Sequence, residues 1–290
     1  MRRCRVRSVA THAFERLGAR LVYDVIGEGA TTIVVPGGPG FGSTYLRDSF
    51  VSLAHSRRLV FIDQRGSGRS SGDERPNELT MQTFIDDLDA TRVETSADGI
   101  DLVGHSFGGL QCLFYALANP NKVRRLALID SDPPTAVEWR RYREVLAKRD
   151  DEERNGILQS IESQPGWQTN PDSLETYFRA YLRPYFARPE RVSRLHFGFG
   201  PDSFEKLTVT TRAIREDLGE WDIREALRTL TIPTLVIYGS DTIFPALAVE
   251  STIRSLPNAR LEVMANVGHF PFLEDQPTFL TLVEDFLSGI

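Results

Sequence analysis

Cysteine, positive net charge and long apolar runs are what this sequence lacks. Cys4 and Cys112 are its only cysteines and no CxxC pair occurs, which indicates a reducing, cytoplasmic compartment and disfavours a structural zinc site. The formal net charge of −6 gives no support for a nucleic-acid partner. No stretch of 18 consecutive apolar residues occurs, so we expect no membrane span. The basic segment 1–7 leads into polar residues, which argues against a secretory signal.

What the sequence does contain is an alternation of strand-like and helix-like segments. Helical spacing marks 79–97, with Thr80 as the expected N-cap, and a second helix is expected over 108–118. This alternation predicts an α/β fold with a mostly parallel central sheet flanked by helices on both faces. The strand-like runs are 21–25, 32–35, 59–62, 100–103, 123–129, 234–238 and 260–263.

The strand pattern stops at Asp132-Pro133-Pro134 and resumes after Ile232-Pro233. We therefore expect residues 1–132 and 232–290 to form one core domain, with 133–231 inserted after the sixth strand as a helical cap. Its aromatic side chains are expected to form the apolar wall of a substrate pocket. They include Trp139, Tyr142, Trp167, Tyr177, Phe178, Tyr181, Tyr185 and Phe186.

A glycine- and proline-rich loop, PGGPGFGST (36–44), follows the strand-like run 32–35. Such loops commonly bind anions, but Ser43-Thr44 stand where a P-loop requires lysine followed by serine or threonine. The spacing of the glycines does not fit a dinucleotide-binding fingerprint either, and Pro39 removes one backbone N–H. The sequence therefore predicts neither a nucleotide nor any other cofactor here.

A GxSxG motif occupies residues 104–108, between a strand-like run and a predicted helix. This arrangement predicts a sharp turn that lifts the hydroxyl of Ser106 above the sheet, with glycines on both sides because side chains would crowd the strand and the helix. The N–H of Phe107 then lies at a helix N-terminus, where it can donate to an oxyanion. Ser106 is the predicted nucleophile.

A serine nucleophile needs a base and a carboxylate that orients the base, in the chain order serine, carboxylate, histidine. Asp241 follows the strand 234–238, and His269 follows the strand 260–263. The carboxyl ends of these strands should meet at one edge of the sheet. Asp130 and Asp132, at the end of the preceding strand, remain alternatives for the carboxylate. His105 is an alternative base, although packing under the turn is its expected role.

The combined motifs resemble the α/β-hydrolase superfamily and, more narrowly, the proline iminopeptidase branch of serine peptidases (S33 type). The resemblance covers about 20–132 and 232–290 and rests on GGPG (37–40), DQRGSGRS (63–70), GHSFGG (104–109), GSDTIFP (239–245) and GHFPFLEDQP (268–277).

This resemblance implies a Ser106–Asp241–His269 triad, with the amides of Gly38 and Phe107 as oxyanion donors. It also implies a helical cap over the site. Pro36 stands where the family usually has a histidine before GGPG. We find no match to the tryptophan- and glutamate-rich cap motif with which the iminopeptidases hold the substrate's amino terminus. The cap does contain glutamates: Glu138, Glu162, Glu175, Glu205, Glu216 and Glu220.

These observations predict a cytoplasmic, cofactor-independent and metal-free serine hydrolase. Its expected substrate is an ester or amide of a small molecule or short peptide, cleaved through an acyl-enzyme, as in a proline iminopeptidase-like aminopeptidase. A carboxylesterase or lactonase of a biosynthetic or detoxification pathway is the alternative enzyme, and a non-catalytic ligand receptor is the alternative of another class. Epoxide chemistry is disfavoured because it requires a carboxylate at position 106. The sequence leaves the oligomeric state open.

Overall fold

A computed structural model describes residues 8–149 and 151–289 of the chain, so Cys4 and the basic segment 1–7 lie outside the described residues. An eight-stranded sheet forms its centre, in the order β1-β2-β4-β3-β5-β6-β7-β8. β1 and β2 pair antiparallel, as do β2 and β4, whereas all other neighbours are parallel. The predicted α/β fold with a mostly parallel sheet is confirmed.

The strands include all seven of the predicted runs and one that the sequence did not suggest. The additional strand, β1, lies at an exposed edge, so its sequence ATHAFER lacks the apolar character of a buried strand. The strands are β1 Ala10–Arg16, β2 Ala19–Ile26, β3 Ala30–Val35, β4 Arg57–Asp63, β5 Ile100–His105, β6 Val123–Ile129, β7 Thr234–Gly239 and β8 Ala259–Met264.

Helices cover the sheet and fill the interval between β6 and β7. The predicted N-cap is present, since Thr80 accepts a hydrogen bond from the N–H of Thr83 at the start of α2. The helices are α1 Thr44–Phe50, α2 Met81–Glu94, α3 Phe107–Ala118, α4 Ala136–Arg140, α5 Tyr142–Ala147, α6 Glu152–Glu162, α7 Pro171–Leu182, α8 Ser203–Leu218, α9 Arg224–Leu227, α10 Ala246–Ser255, α11 Pro271–Glu274 and α12 Gln276–Ser288.

Residues 133–231, hereafter the cap segment, contain α4 to α9. Their only strand-like feature among the described residues is an isolated bridge between Thr135 and Asp222. Several of their aromatic rings pack with core residues in one continuous apolar cluster. None of the helices in the described ranges is long and apolar enough to cross a bilayer.

The core strands β3, β5, β6 and β7 are buried along nearly their whole length, as expected for parallel strands covered on both faces. Their carboxyl ends lie at one edge of the sheet, together with the end of β8. The loops that leave this edge carry the residues of the site described next.

Candidate active site

Ser106 occupies the sharp turn between β5 and α3. Its backbone has φ 54° and ψ −126°, a region that a non-glycine residue rarely adopts. Hydrogen bonds on both sides hold this conformation: the N–H of Ser106 donates to the carbonyl of Ile129, and its own carbonyl accepts from the N–H of Asp132. The strained turn predicted from the sequence is therefore present.

The glycines beside Ser106 are required by close backbone contacts. A Cβ at Gly104 would lie 2.4 Å from the carbonyl oxygen of Gly108. A Cβ at Gly108 would lie 2.4 Å from the carbonyl oxygens of Val35 and Pro36. Because real Cβ atoms do not approach backbone so closely, α3 can pack against the end of β3 only with glycine at position 108.

His269, in the loop after β8, is almost fully buried, and its Nδ1 lies 2.6 Å from Oδ1 of Asp130. Asp130 directly follows β6 and has a left-handed backbone, with φ 41°. Its carboxylate also accepts hydrogen bonds from the N–H of Gly239 (3.1 Å) and the hydroxyl of Thr242 (2.5 Å). Two donors thus hold a fully buried carboxylate against one ring nitrogen of the histidine.

The structure does not place Asp241 at this position, which corrects the assignment made from the sequence. Asp241 is exposed, and its carboxylate accepts a hydrogen bond from the hydroxyl of Ser240. The chain turns after β7 so that Thr242, rather than Asp241, directs its side chain inward to Asp130. Asp130 was one of the alternatives that the sequence left open.

His105 is buried beneath the turn and makes two hydrogen bonds. Its Nδ1 lies 2.8 Å from the hydroxyl of Tyr45, and its Nε2 lies 2.9 Å from the carbonyl oxygen of His269. Burial is the main cause that lowers the pKa of His105 well below its ordinary value, and the nearby His269 adds to the effect. His105 therefore stays neutral and has the packing role expected of it.

The glycine-rich loop packs directly against the serine. A Cβ at Gly37 would lie 2.9 Å from Cβ of Ser106, and the N–H of Gly37 is engaged by the hydroxyl of Tyr45 at 2.7 Å. The next amide, that of Gly38, belongs to a residue that lines the same cavity as Ser106. Gly38 has φ 127°, and the Gly38–Pro39 peptide bond is cis.

Pro36 stands where the family that the sequence resembles usually has a histidine. Other contacts hold the loop at this position. The carbonyl oxygen of Pro36 accepts a hydrogen bond from Nε2 of Gln64 at 3.3 Å. On the opposite side of the loop, the hydroxyl of Thr211 on α8 donates to the carbonyl of Pro39 at 2.8 Å. The loop is thus positioned by the core on one side and by the cap segment on the other.

Ser106 and His269 line one cavity of about 270 Å³ between the sheet edge and the cap segment. Its wall is largely aromatic, and five of the aromatic cap residues singled out in the sequence contribute to it: Trp139, Tyr142, Phe178, Tyr181 and Tyr185. The other three pack elsewhere, since Trp167 stacks on Tyr177 and Phe186 stacks on Phe270.

None of the six cap glutamates lines this cavity. Glu175 accepts hydrogen bonds from the N–H groups of Phe197 and Gly198, and Glu220 pairs with Arg140 at the surface. The carboxylate that does line the cavity is that of Asp132, whose Oδ1 lies 3.4 Å from the hydroxyl of Ser106. The sequence identified Asp132 as a rival for the triad but gave no reason to expect it in the pocket wall.

Burial raises the pKa of Asp132 to about 6. His269, Ser106, Arg215 and Trp139 act in the opposite direction but do not cancel this effect. Arg215 is the cationic side chain of the cavity wall, and its guanidinium carbon lies 5.1 Å from the ring centroid of Trp139.

The cap segment is bonded to the loop that carries His269. The N–H of His269 donates to the carbonyl oxygen of Tyr185 at 2.8 Å. The buried carboxylate of Glu274 accepts hydrogen bonds from Gly268 on this loop and from Ala187 and Arg188 in the cap segment. Within the described residues, no cluster of His, Cys, Asp and Glu is arranged to hold a metal ion.

Comparisons with known proteins find relatives along almost the whole chain. The chain is 25% identical over 280 residues to the proline iminopeptidase of Lactobacillus delbrueckii subsp. lactis, a match that covers 91% of this chain and 92% of that protein. The structure of a proline iminopeptidase from Mycobacterium smegmatis superposes with a TM-score of 0.70 at 22% identity, covering 97% of this chain and 98% of that one.

An N-acyl homoserine lactone degrading enzyme superposes with a TM-score of 0.69 at 23% identity, covering 95% of this chain and all of that one. Likenesses at this level of identity establish the fold. The model of the alpha/beta hydrolase fold family matches residues 32–276. The chain therefore belongs to the α/β hydrolase fold family, in keeping with the serine at the sharp turn, the buried histidine and the sheet order described above.

Proposed function

We propose that this protein is a serine hydrolase that removes the N-terminal residue from short peptides through an acyl-enzyme intermediate. The observation that carries the proposal is the pairing of His269 with Asp130 in the cavity that Ser106 also lines. In this proposal Ser106 is the nucleophile, His269 the general base, and Asp130 replaces Asp241 as the carboxylate that orients the histidine.

The proposed reaction uses Nε2 of His269 as the proton acceptor. Because Nδ1 faces Asp130, the carboxylate favours the tautomer with the proton on Nδ1 and leaves Nε2 free. Nε2 takes the proton of Ser106 as its oxygen attacks the carbonyl carbon, and returns it to the departing amine. Water then repeats both steps and releases the acid.

The amides of Gly38 and Phe107 are the proposed donors to the tetrahedral oxyanion. Phe107 is the first residue of α3, so its N–H lies at the positive end of a helix. Gly37 is an unsuitable donor because Tyr45 already occupies its N–H. Loss of one oxyanion donor commonly costs roughly 3–4 kcal/mol of transition-state stabilisation.

The peptide substrate is supported by the named relatives and by the shape of the cavity. Residues 133–231 would act as a lid, and the cavity of about 270 Å³ beneath it favours a short substrate. We keep the cytoplasm as the proposed location, because a chain with two cysteines and a buried, unpaired Cys112 suits a reducing compartment.

An esterase or lactonase is the second candidate. The largely aromatic wall and the absence of the cap glutamates from it favour a neutral acyl group. The likeness to a lactone-degrading enzyme is in keeping with this reading.

Labelling and hydrolysis assays test both candidates. We expect a fluorophosphonate to label the unsubstituted protein, Ser106→Ala to abolish labelling, and prolyl 4-nitroanilide to be cleaved. An unlabelled protein would contradict the serine mechanism and favour a ligand receptor. Labelling together with cleavage of aryl esters but of no N-terminal amide would establish the esterase instead.

A further inference from the structure

Asp132 is a buried carboxylate that the catalytic scheme does not use. Asp132 is 7% exposed and lines the cavity beside Ser106. It lies in the segment after β6, two residues after Asp130. The carboxylate of Asp130 is occupied by His269, Gly239 and Thr242, and the cap glutamates lie outside the cavity. Among the described residues, Asp132 is thus the carboxylate that this cavity offers to a ligand.

The position of Asp132 matches one particular group of a peptide. An attacked carbonyl carbon lies about 3–3.5 Å from the nucleophile. Standard bond lengths place an α-amino nitrogen about 2.5 Å from the carbonyl carbon of the same residue. Since Oδ1 of Asp132 is 3.4 Å from the hydroxyl of Ser106, an α-amino group can reach this oxygen while the carbonyl faces the serine.

The charged groups near Asp132 leave its carboxylate available to a cationic ligand. No ion pair joins Asp132 to a basic side chain in the described parts of the chain, although the charges of His269 and Arg215 reach it. Burial without a close cation disfavours the ionised form, whereas an ammonium group at hydrogen-bond distance would favour it. The carboxylate is therefore complementary to a cationic ligand.

We infer that Asp132 receives the α-amino group of the substrate and makes the enzyme selective for unblocked N-terminal residues. This inference rests on the proposed function and assigns to a core residue the recognition that the cap glutamates do not supply. An acylated amino terminus loses the positive charge and adds bulk against the aromatic wall, so blocked peptides are excluded.

Other groups face Asp132 from the elements packed around it. They are His269 from the loop after β8, Arg215 from α8, Tyr185 from the cap segment and Tyr238 from β7. Of these, His269 is also part of the proposed reaction and its protonation affects every substrate. The experiment must therefore compare two substrates whose cleavage depends on His269 in both cases and of which only one carries an amino group.

The test uses prolyl 4-nitroanilide and 4-nitrophenyl cyclopentanecarboxylate, whose acyl ring resembles that of proline without its nitrogen. For Asp132→Asn we expect the prolyl-to-ester ratio of kcat/KM to fall about 10- to 100-fold, because one charge-assisted contact is lost for the prolyl substrate only. Glu205→Gln, in the exposed part of α8, is the matched control and should leave kcat/KM unchanged for both substrates. Fluorophosphonate labelling of Asp132→Asn verifies that it is folded.

A pH profile from 5 to 7, below the usual α-amino pKa, provides the second readout. In the unsubstituted protein the prolyl-to-ester ratio of kcat/KM should fall as the pH decreases through about 6, where Asp132 takes up a proton. In Asp132→Asn the ratio should not vary. Equal losses on both substrates, or an unchanged ratio, would overturn the inference alone, whereas absence of prolyl cleavage by the unsubstituted protein would overturn the proposed function as well.

Discussion

Nδ1 of His269 lies 2.6 Å from Oδ1 of Asp130, at the end of the strand β6, and not beside Asp241 at the end of β7. The two strands are neighbours in the sheet, so a carboxylate could approach the histidine from either of them. Asp130 does so from a left-handed backbone conformation, and Thr242 of the loop after β7 supports its carboxylate. The carboxylate therefore contacts the imidazole from the end of β6 rather than from the end of β7.

Substitution of the two aspartates should separate their roles. Asp130→Asn removes the charge that orients His269, so we expect kcat for an aryl ester to fall by about 1,000- to 10,000-fold, as for other Ser-His-Asp hydrolases. Asp241→Asn should lower kcat less than about twofold, because this side chain is exposed. Steady-state kinetics and the rate of fluorophosphonate labelling measure both effects. A severe loss in Asp241→Asn with activity retained in Asp130→Asn would restore the assignment made from the sequence.

Gly108→Ala tests the close packing of α3 against the loop after β3. Its Cβ would lie 2.4 Å from two backbone carbonyl oxygens, so we expect the free energy of unfolding to decrease by about 1–3 kcal/mol or more. We also expect labelling of Ser106 to be lost. Gly156→Ala on α6 is the control. It meets no atom within 4 Å and should raise the free energy of unfolding by about 0.5–1 kcal/mol. Urea unfolding measures both, and equal stabilities would contradict the prediction.

Tyr45→Phe tests the contact that links the glycine-rich loop to His105. The hydroxyl accepts from the N–H of Gly37 and lies against Nδ1 of His105, so its removal leaves two buried polar groups without a partner. We expect a loss of about 1–3 kcal/mol in the free energy of unfolding. We also expect kcat to fall about 10- to 100-fold, because the loop is less well positioned. Tyr23→Phe, in the core strand β2, should leave kcat unchanged. If both variants behave alike, the hydroxyl of Tyr45 does not position the loop.

The raised pKa of Asp132 has a consequence for stability. In the unfolded chain its pKa returns to about 3.9, so between about pH 4 and pH 6 the folded protein retains a proton that the unfolded chain has released. The contribution of this group to the free energy of unfolding therefore decreases as the pH rises through that window and stays low above pH 6. Asp132→Asn should then stabilise the protein at pH 7, by about 1–3 kcal/mol, and have little effect at pH 4. Urea unfolding at the two pH values measures this, and destabilisation at pH 7 would contradict it.

Much of the fold could be predicted from the sequence because buried parallel strands leave continuous apolar runs. β1 escaped detection since it pairs through its backbone at an exposed edge and needs few apolar side chains. Helices α1 and α10 were also missed. They are short segments that begin directly after the glycine-rich loop and after Pro245.

Within the site, Ser106 and His269 could be placed because each lies next to a recognisable feature of the backbone. Ser106 requires glycine neighbours, and His269 follows a strand. The sequence favoured Asp241 as the carboxylate, but Asp130 and Asp132 follow the adjacent strand β6 and are of the same residue type, so the choice had no firm basis. The turn after Gly239 and the left-handed conformation of Asp130 decide between them, and neither leaves a distinct sequence signal.

The hydrogen bond from the N–H of His269 to the carbonyl of Tyr185 bears on how the cap segment of this protein could be replaced. Together with the three amides held by Glu274, it joins residues 185–188 to the loop that carries His269. A cap segment transplanted from a relative would have to supply an equivalent carbonyl and equivalent amides, whatever the arrangement of its helices elsewhere. Transplants that keep residues 185–188 should therefore retain activity toward simple esters, whereas replacement of the whole segment should not.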